Sequence, residues 1–365
     1  MDPKPSAQIP PFLVFYLVHA VQIGVGILSF SREIVEVSDY HSWIAIILSG
    51  VVFHIIIWMM YFILNREKSD IVDIHNGTFG RVFGFVLTML FVGHFVVSAT
   101  VIVLVYASVV RIWMFPELET WVLSLAIFAV IYYGVSSGFR TIVGLCFLSL
   151  VIPSFLLLTS FYLFEYLSFE AILPLFDTTL TKQLRAMNEM LFSFFGPEVL
   201  LICYPFIQQA PKSQKYAHFG NILTTILYVF VALLSFMFFS EEDLKQIMFP
   251  TLTAWKIVHL PFIERFEYLG IAIWMIVIIP NMTMAFWAAS RLLKRQFNVK
   301  QRYMLPIIII IGFLITVKFQ LVNSIEQLFS FAKFVGNSLV YVYIPLLFII
   351  IAIKRRKTGE KNKHR

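Results

Sequence analysis

Two short stretches of this chain carry polar groups where an apolar helix would otherwise run on. Val21-Gln22-Ile23-Gly24-Val25-Gly26-Ile27 sets two glycines one residue apart. Leu191-Phe192-Ser193-Phe194-Phe195-Gly196-Pro197-Glu198-Val199 sets a Gly-Pro pair and a carboxylate inside a second apolar run. Each glycine in a helix interior costs roughly 1 kcal/mol against alanine. An unwound backbone also frees amide and carbonyl groups, which is tolerated at membrane depth only inside the protein or beside a polar cavity. Pro197 suits the first position of a new helical segment. Glu198 then falls in its first turn, where the helix dipole favours negative charge. The chemistry these groups offer is non-covalent recognition of a small solute.

The candidate site residues are therefore Gly24, Val25 and Gly26 at the first break and Phe195, Gly196 and Glu198 at the second. His94 and Ser98 lie one helical turn apart on a third apolar run and share a face. Asn281 follows Pro280; it offers both donor and acceptor, and the proline disturbs helix hydrogen bonds around it. Each has a plainer reading. Paired glycines also serve close helix packing, a lone histidine is often a satisfied packing residue, and Glu198 can be held by neighbouring backbone. His19 and His54 are weaker candidates. Paired histidines at metal-ligand spacing, a Gly-rich phosphate loop and a Gly-x-Ser-x-Gly elbow are all missing from the sequence, so neither an enzyme nor a cofactor is expected. Cys146 and Cys203 sit in apolar runs as small hydrophobes. Two sequons, Asn76-Gly-Thr78 and Asn281-Met-Thr283, fall on the expected cytoplasmic side and within a span.

The elements that position these groups follow from composition. Of 365 residues, 59% are hydrophobic and 13% charged, which a soluble domain has no way to bury. Apolar runs fall at 11–30, 43–64, 82–110, 120–135, 141–164, 190–207, 219–239, 268–289, 303–321 and 334–353. Runs near 20 residues suit membrane helices, whereas barrel strands are about half as long with alternating polarity. The expectation is an all-α polytopic membrane protein with ten transmembrane helices. Residues 1–10 form an N-terminal tail, 11–353 the transmembrane domain and 354–365 a basic tail.

Placing both termini in the cytoplasm assigns 19 of the 28 Lys and Arg to inner segments, as the positive-inside rule requires. The net charge of +7 thus reflects orientation and not a nucleic-acid partner, and the basic tail faces anionic membrane lipids. Two outer loops, 165–189 and 240–267, exceed simple turns. Leu252, Trp255 and Val258 recur at three-residue spacing in the second, which predicts a short helix capping the membrane domain. The broken runs are the first and sixth, the leading members of two five-span halves. Breaks at corresponding places point to a binding site between inverted repeats.

The chain resembles the permease-like B subunit of bacterial spore-germination nutrient receptors, a branch of the amino acid–polyamine–organocation transporter superfamily. The likeness is densest at Gly24-Val-Gly-Ile-Leu-Ser-Phe-Ser-Arg32 and Phe194-Phe-Gly-Pro-Glu-Val-Leu200. It continues at Phe249-Pro-Thr-Leu252, Phe262-Ile-Glu-Arg-Phe-Glu267 and Tyr343-Ile-Pro-Leu-Leu-Phe348. The resemblance implies a five-plus-five inverted repeat whose helices 1 and 6 unwind around a small nutrient such as an amino acid. It also implies an A-type membrane subunit and a C-type lipoprotein subunit as partners, in the inner membrane of an endospore. Family members often carry Leu-Pro-Arg where this chain has Phe30-Ser31-Arg32, and a larger apolar residue in place of Pro197; both changes flank the expected pocket and bear on which nutrient it takes. A free-standing amino-acid transporter is the alternative. Proton-coupled relatives often carry a lysine in the fifth span, and 141–164 has none.

Overall fold

A computed structural model describes residues 4–363. The outermost parts of the two tails, 1–3 and 364–365, lie outside the described residues, as do the basic side chains after Lys354. The described helices are α1 (Leu13–Gln22), α2 (Phe30–Ser38), α3 (Trp43–Glu67), α4 (Ile71–Trp113), α5 (Thr120–Ser136), α6 (Phe139–Val151), α7 (Leu180–Leu191) and α8 (Leu200–Cys203). They continue with α9 (Gln214–Phe238), α10 (Glu241–Gln246), α11 (Pro250–Ala254), α12 (Phe266–Phe297), α13 (Gln301–Lys318), α14 (Val322–Asn337) and α15 (Ile344–Lys363). Among the described residues the only extended pairing is two isolated bridges. Among the described residues, seven helical stretches are long and apolar enough to cross a membrane, or eight with one bent pair; α1 and α5 are shorter apolar helices.

Both expected breaks are present. After α1 the chain is extended at Ile23 and Gly24, turns through a 3-10 segment at Val25–Leu28 and resumes as α2. After α7 it passes a 3-10 turn, is extended at Phe195, reverses at Gly196 and restarts at Pro197. The two halves of this second run are bent by 50°.

Several boundaries differ from the hydropathy reading, each for a local reason. α2 continues to Ser38 and α7 begins at Leu180, inside segments expected as loops. Their polar side chains are matched to one another and so do not end the helices. Gln183 Nε2 donates to Ser38 Oγ at 2.7 Å and to the His41 carbonyl at 3.1 Å, and Lys182 Nζ donates to Asp39 Oδ2 at 3.0 Å. The fifth run changes from α to 3-10 geometry at Pro153, where the proline removes a backbone donor. The tenth reaches back to Ser324 because a π-helical segment, Ser338–Tyr343, joins α14 to α15. α12 runs unbroken through Pro280, which offers no backbone donor to the preceding turn. Thr283 Oγ1 donates to the carbonyls of Ile279 and Pro280 at 2.8 and 3.1 Å there.

At the centre, α12 packs against α4, α1 and α6, while α9 packs against α1 and α3. The expected cap forms from α11 and the turn Trp255–Ile257, with Leu252, Trp255 and Val258 buried. Thr251 Oγ1 ties it to the Ile27 carbonyl at 3.0 Å.

Polar contacts between connecting segments fall into two sets. One joins Ile9 to Phe206 and Gln208, Arg140 to Ser6, and Arg295 to Asp70 and Asp73. The other joins His41 to Pro174, Tyr40 to Phe239, and Asp39 to Lys182 and Lys245.

Candidate ligand cavity at the two helix breaks

The two breaks touch. Gly196 has φ 123°, and a Cβ there would lie 2.4 Å from the Val21 carbonyl oxygen. Both the left-handed backbone and the close approach therefore demand glycine. Gln22 Nε2 crosses the junction to the Phe194 carbonyl at 3.1 Å and to Asn221 Oδ1 at 2.9 Å.

Carbonyls released by unwinding find side-chain donors. Asn281 Nδ2 donates to the Val21 carbonyl at 2.8 Å, and the Tyr228 hydroxyl donates to the Gln22 carbonyl at 3.2 Å. Buried carbonyls without such partners would each cost about 1–3 kcal/mol. Asn281 thus acts first as a brace for the broken span.

Glu198 is nearly inaccessible and doubly engaged. Its Oε2 accepts from the Gly196 amide at 2.7 Å, and its Oε1 lies 2.8 Å from His94 Nε2. Side-chain exposures are 2% for Glu198 and 1% for His94. The carboxylate caps its own half-helix and fastens it to α4. Ser98 Oγ is 3.5 Å from His94 Nδ1, at the outer limit of a hydrogen bond. Phe195 is buried with its ring against His94, Phe192 and Tyr341.

All nine candidates, Gly24, Val25, Gly26, His94, Ser98, Phe195, Gly196, Glu198 and Asn281, line one cavity of about 490 Å³. That volume lies in the range of small-molecule sites. One expectation changes in detail: the Gly196 amide is already taken by Glu198, so it is not offered to a ligand. The amides opening the 3-10 segment at Val25 and Gly26 belong to a helix start, where backbone donors lack intrahelical partners.

Arg32, Glu33, Glu189 and Glu326, outside the apolar runs, also line the cavity, together with Ser29 and Tyr228 from within the first and seventh runs. Ser29 Oγ donates to Glu33 Oε1 at 3.1 Å, Arg32 pairs with Glu36 at 3.2 Å, and Lys333 holds Glu189. The signal for the first of these was present: Ser29, Arg32, Glu33 and Glu36 follow the break at spacings of three and four, one face of a helix. The weaker histidine candidates lie elsewhere. His19 Nδ1 is 3.0 Å from Thr224 Oγ1, and His54 Nδ1 is 2.8 Å from His218 Nδ1.

Comparison with known proteins bears on this arrangement. Residues 8–325 match the family model described as "Spore germination protein". The spore germination protein GerQB of Bacillus cereus is 37% identical over 347 residues, covering 95% of this chain and 96% of that protein. Spore germination protein A2 of Bacillus subtilis is 22% identical over 349 residues, covering 94% and 95%. Among solved structures, a Na+-coupled sialic acid symporter in a substrate-bound outward-open state superposes with a TM-score of 0.65 at 11% identity, covering 95% of this chain and 76% of that one. The last likeness is one of fold.

Proposed function

We propose, because this chain belongs to the spore germination protein family, that it is the permease-like subunit of a nutrient germinant receptor. It binds a small nutrient, an amino acid, in the cavity at the two breaks and helps trigger germination. The observation that carries this reading is the convergence of four separate segments, 24–26, 94–98, 195–198 and 281, on one cavity.

In this reading ten helices form two inverted five-span halves, with α1 and α2 as the broken first span and α7 and α8 within the broken sixth. Support comes from the two sets of polar contacts between connecting segments. Segments assigned to the cytoplasm by charge touch one another, and those assigned outside touch one another. Both termini are then cytoplasmic, in the inner membrane of a spore. An A-type membrane subunit and a C-type lipoprotein subunit complete the receptor, in keeping with relatives named as germination proteins.

The nutrient carboxylate meets the amides at Val25 and Gly26, at the positive end of a half-helix. Its ammonium group faces the carboxylates of Glu33, Glu189 and Glu326, and its side chain meets Phe195 and the apolar wall. A ligand shifts a two-state element only by its differential affinity for the two states. Here the element is the pair of outer half-helices, α2 and α7, clamped together by Gln183 and Lys182 and able to tilt at the breaks.

The test is a thermal-shift screen of the full-length protein in detergent against single amino acids. Ligand at 100 times Kd stabilises by about 2.7 kcal/mol. At least one amino acid should raise the melting temperature of the parent protein and of Gly26→Ala, but not of Gly26→Leu. The same shift in Gly26→Leu overturns this site.

A further inference from the structure

Phe195 is part of the wall of the nutrient cavity, and its ring rests on a glycine of the tenth span. A Cβ built on Gly336 of α14 would overlap Cε2 of that ring and lie 2.8 and 3.0 Å from its Cδ2 and Cζ. Gly336 is not among the glycines with positive φ, so backbone conformation does not call for glycine here. Small residues in membrane helices commonly serve close helix packing. At Gly336, however, the three nearest atoms all belong to the Phe195 ring and none to a neighbouring backbone. The space left by the missing side chain is taken by the ring.

The helix behind the ring is held in place on both sides of Gly336. Lys333 pairs with Glu189, the Tyr341 hydroxyl donates to the Leu191 carbonyl at 3.0 Å, and Phe329 packs on Phe192 with ring centroids 4.8 Å apart. A side chain at 336 therefore displaces the ring sooner than the helix. Phe192, Tyr341 and His94 bound the Phe195 ring at centroid separations of 5.2, 5.6 and 6.0 Å. The free space beside it is the cavity. Since carbon atoms settle at roughly 3.5–4.0 Å, an added methyl drives the ring edge toward the cavity by about an ångström or more.

We infer that residue 336 is a positioning residue that sets, through the Phe195 ring, the largest nutrient side chain the cavity accepts. The inference rests on the nutrient reading of this cavity. Glycine lets the ring withdraw and leaves the cavity its full width. Alanine advances the ring and narrows the room for the nutrient's side chain, while the amides at Val25 and Gly26 stay as they are. One methylene more or less in an apolar pocket changes binding by about 10- to 200-fold. The loss should therefore grow with the size of the nutrient side chain.

The experiment compares the full-length parent, Gly336→Ala and the double variant Gly336→Ala with Phe195→Leu, all in detergent. Thermal shifts are titrated with glycine, L-alanine, L-valine, L-leucine and L-phenylalanine. Gly336→Ala should weaken the largest amino acid that the parent binds by about tenfold or more, and the double variant, with its trimmed side chain, should restore it. A ligand-independent reading comes from 4-fluorophenylalanine in place of Phe195. Its fluorine resonance should move in Gly336→Ala and respond more strongly to exchange of H2O for D2O, as the ring enters the cavity. An unmoved resonance, equal affinities in parent and Gly336→Ala, or a loss that Phe195→Leu does not rescue overturns the inference. If Gly336→Ala alone does not assemble, recovery of assembly and affinity in the double variant supports it, and failure of both overturns it. Should no amino acid stabilise the parent although the resonance moves, the nutrient reading itself fails and takes this inference with it.

Discussion

His94 and Glu198 join the part of α4 that follows its kink at Gly80 to a broken span: Nε2 and Oε1 are 2.8 Å apart, and the other carboxylate oxygen caps Gly196 at 2.7 Å. Removing one member of such a buried pair leaves the other without its hydrogen-bond partner, at about 1–3 kcal/mol. Glu198→Ala should therefore lower stability by that order in a denaturation or thermal assay. Glu198→Gln keeps the shape but replaces one acceptor oxygen with an NH2 donor, which His94 accepts only through an unprotonated Nε2, and should cost about 1 kcal/mol. A normal nutrient response in Glu198→Gln would make the charge dispensable. A lost response with assembly and nutrient binding retained would place Glu198 in the switch. Loss of assembly would make it purely structural.

Gly196 and Gly24 look alike in sequence and should behave differently. Alanine at 196 meets the Val21 carbonyl at 2.4 Å with φ at 123°, whereas a Cβ at 24 would sit 3.5 Å from Asn281 Nδ2. Strained backbone alone costs about 1–3 kcal/mol, so Gly196→Ala should reduce the yield of folded protein sharply on size-exclusion chromatography. Gly24→Ala should elute like the parent.

Asn281→Leu removes the donor to the Val21 carbonyl and should destabilise by about 1–3 kcal/mol. The effect should be seen in thermal melts and accompanied by a weakened nutrient response. An unchanged melting temperature would mean that the first break is held without Asn281.

Topology can be read by thiol labelling, since Cys146 and Cys203 are both buried. Phe262 is 98% exposed between α11 and α12, in a segment that the proposed topology puts outside. Phe262→Cys should react with an impermeant maleimide applied from outside. Lys300→Cys, also exposed, should react only after permeabilisation; outside labelling of position 300 would invert the assignment.

The sequence reading located what depends on backbone chemistry. Gly-Pro at 196–197 and the glycines at 24 and 26 announce breaks because few other residues allow them. Glu198, His94 and Asn281 stood out as polar groups in apolar runs. What it missed depends on partners distant in the chain. Gln183 and Lys182 read as loop residues until Ser38 and Asp39 are seen beside them, and Glu189 until Lys333 is. Arg32 and Glu33 differ: their partners Glu36 and Ser29 are local, and the helical spacing was legible, but polar residues there look like the end of a span unless the cavity beside them is known. Asn281, proposed as a ligand contact, also braces Val21, a role that no local pattern encodes.

The most direct test of nutrient recognition at the breaks is the germination response of spores carrying Gly26 variants, with protein levels measured in parallel. A Cβ at position 26 comes no closer than 3.5 Å to Ser193 Oγ, so Gly26→Ala should respond at near-parental nutrient concentrations. Gly26→Leu projects a branched side chain from the cavity wall and should abolish the response at normal protein level. A normal response from Gly26→Leu spores, with the variant present at parental abundance, would contradict recognition in this cavity.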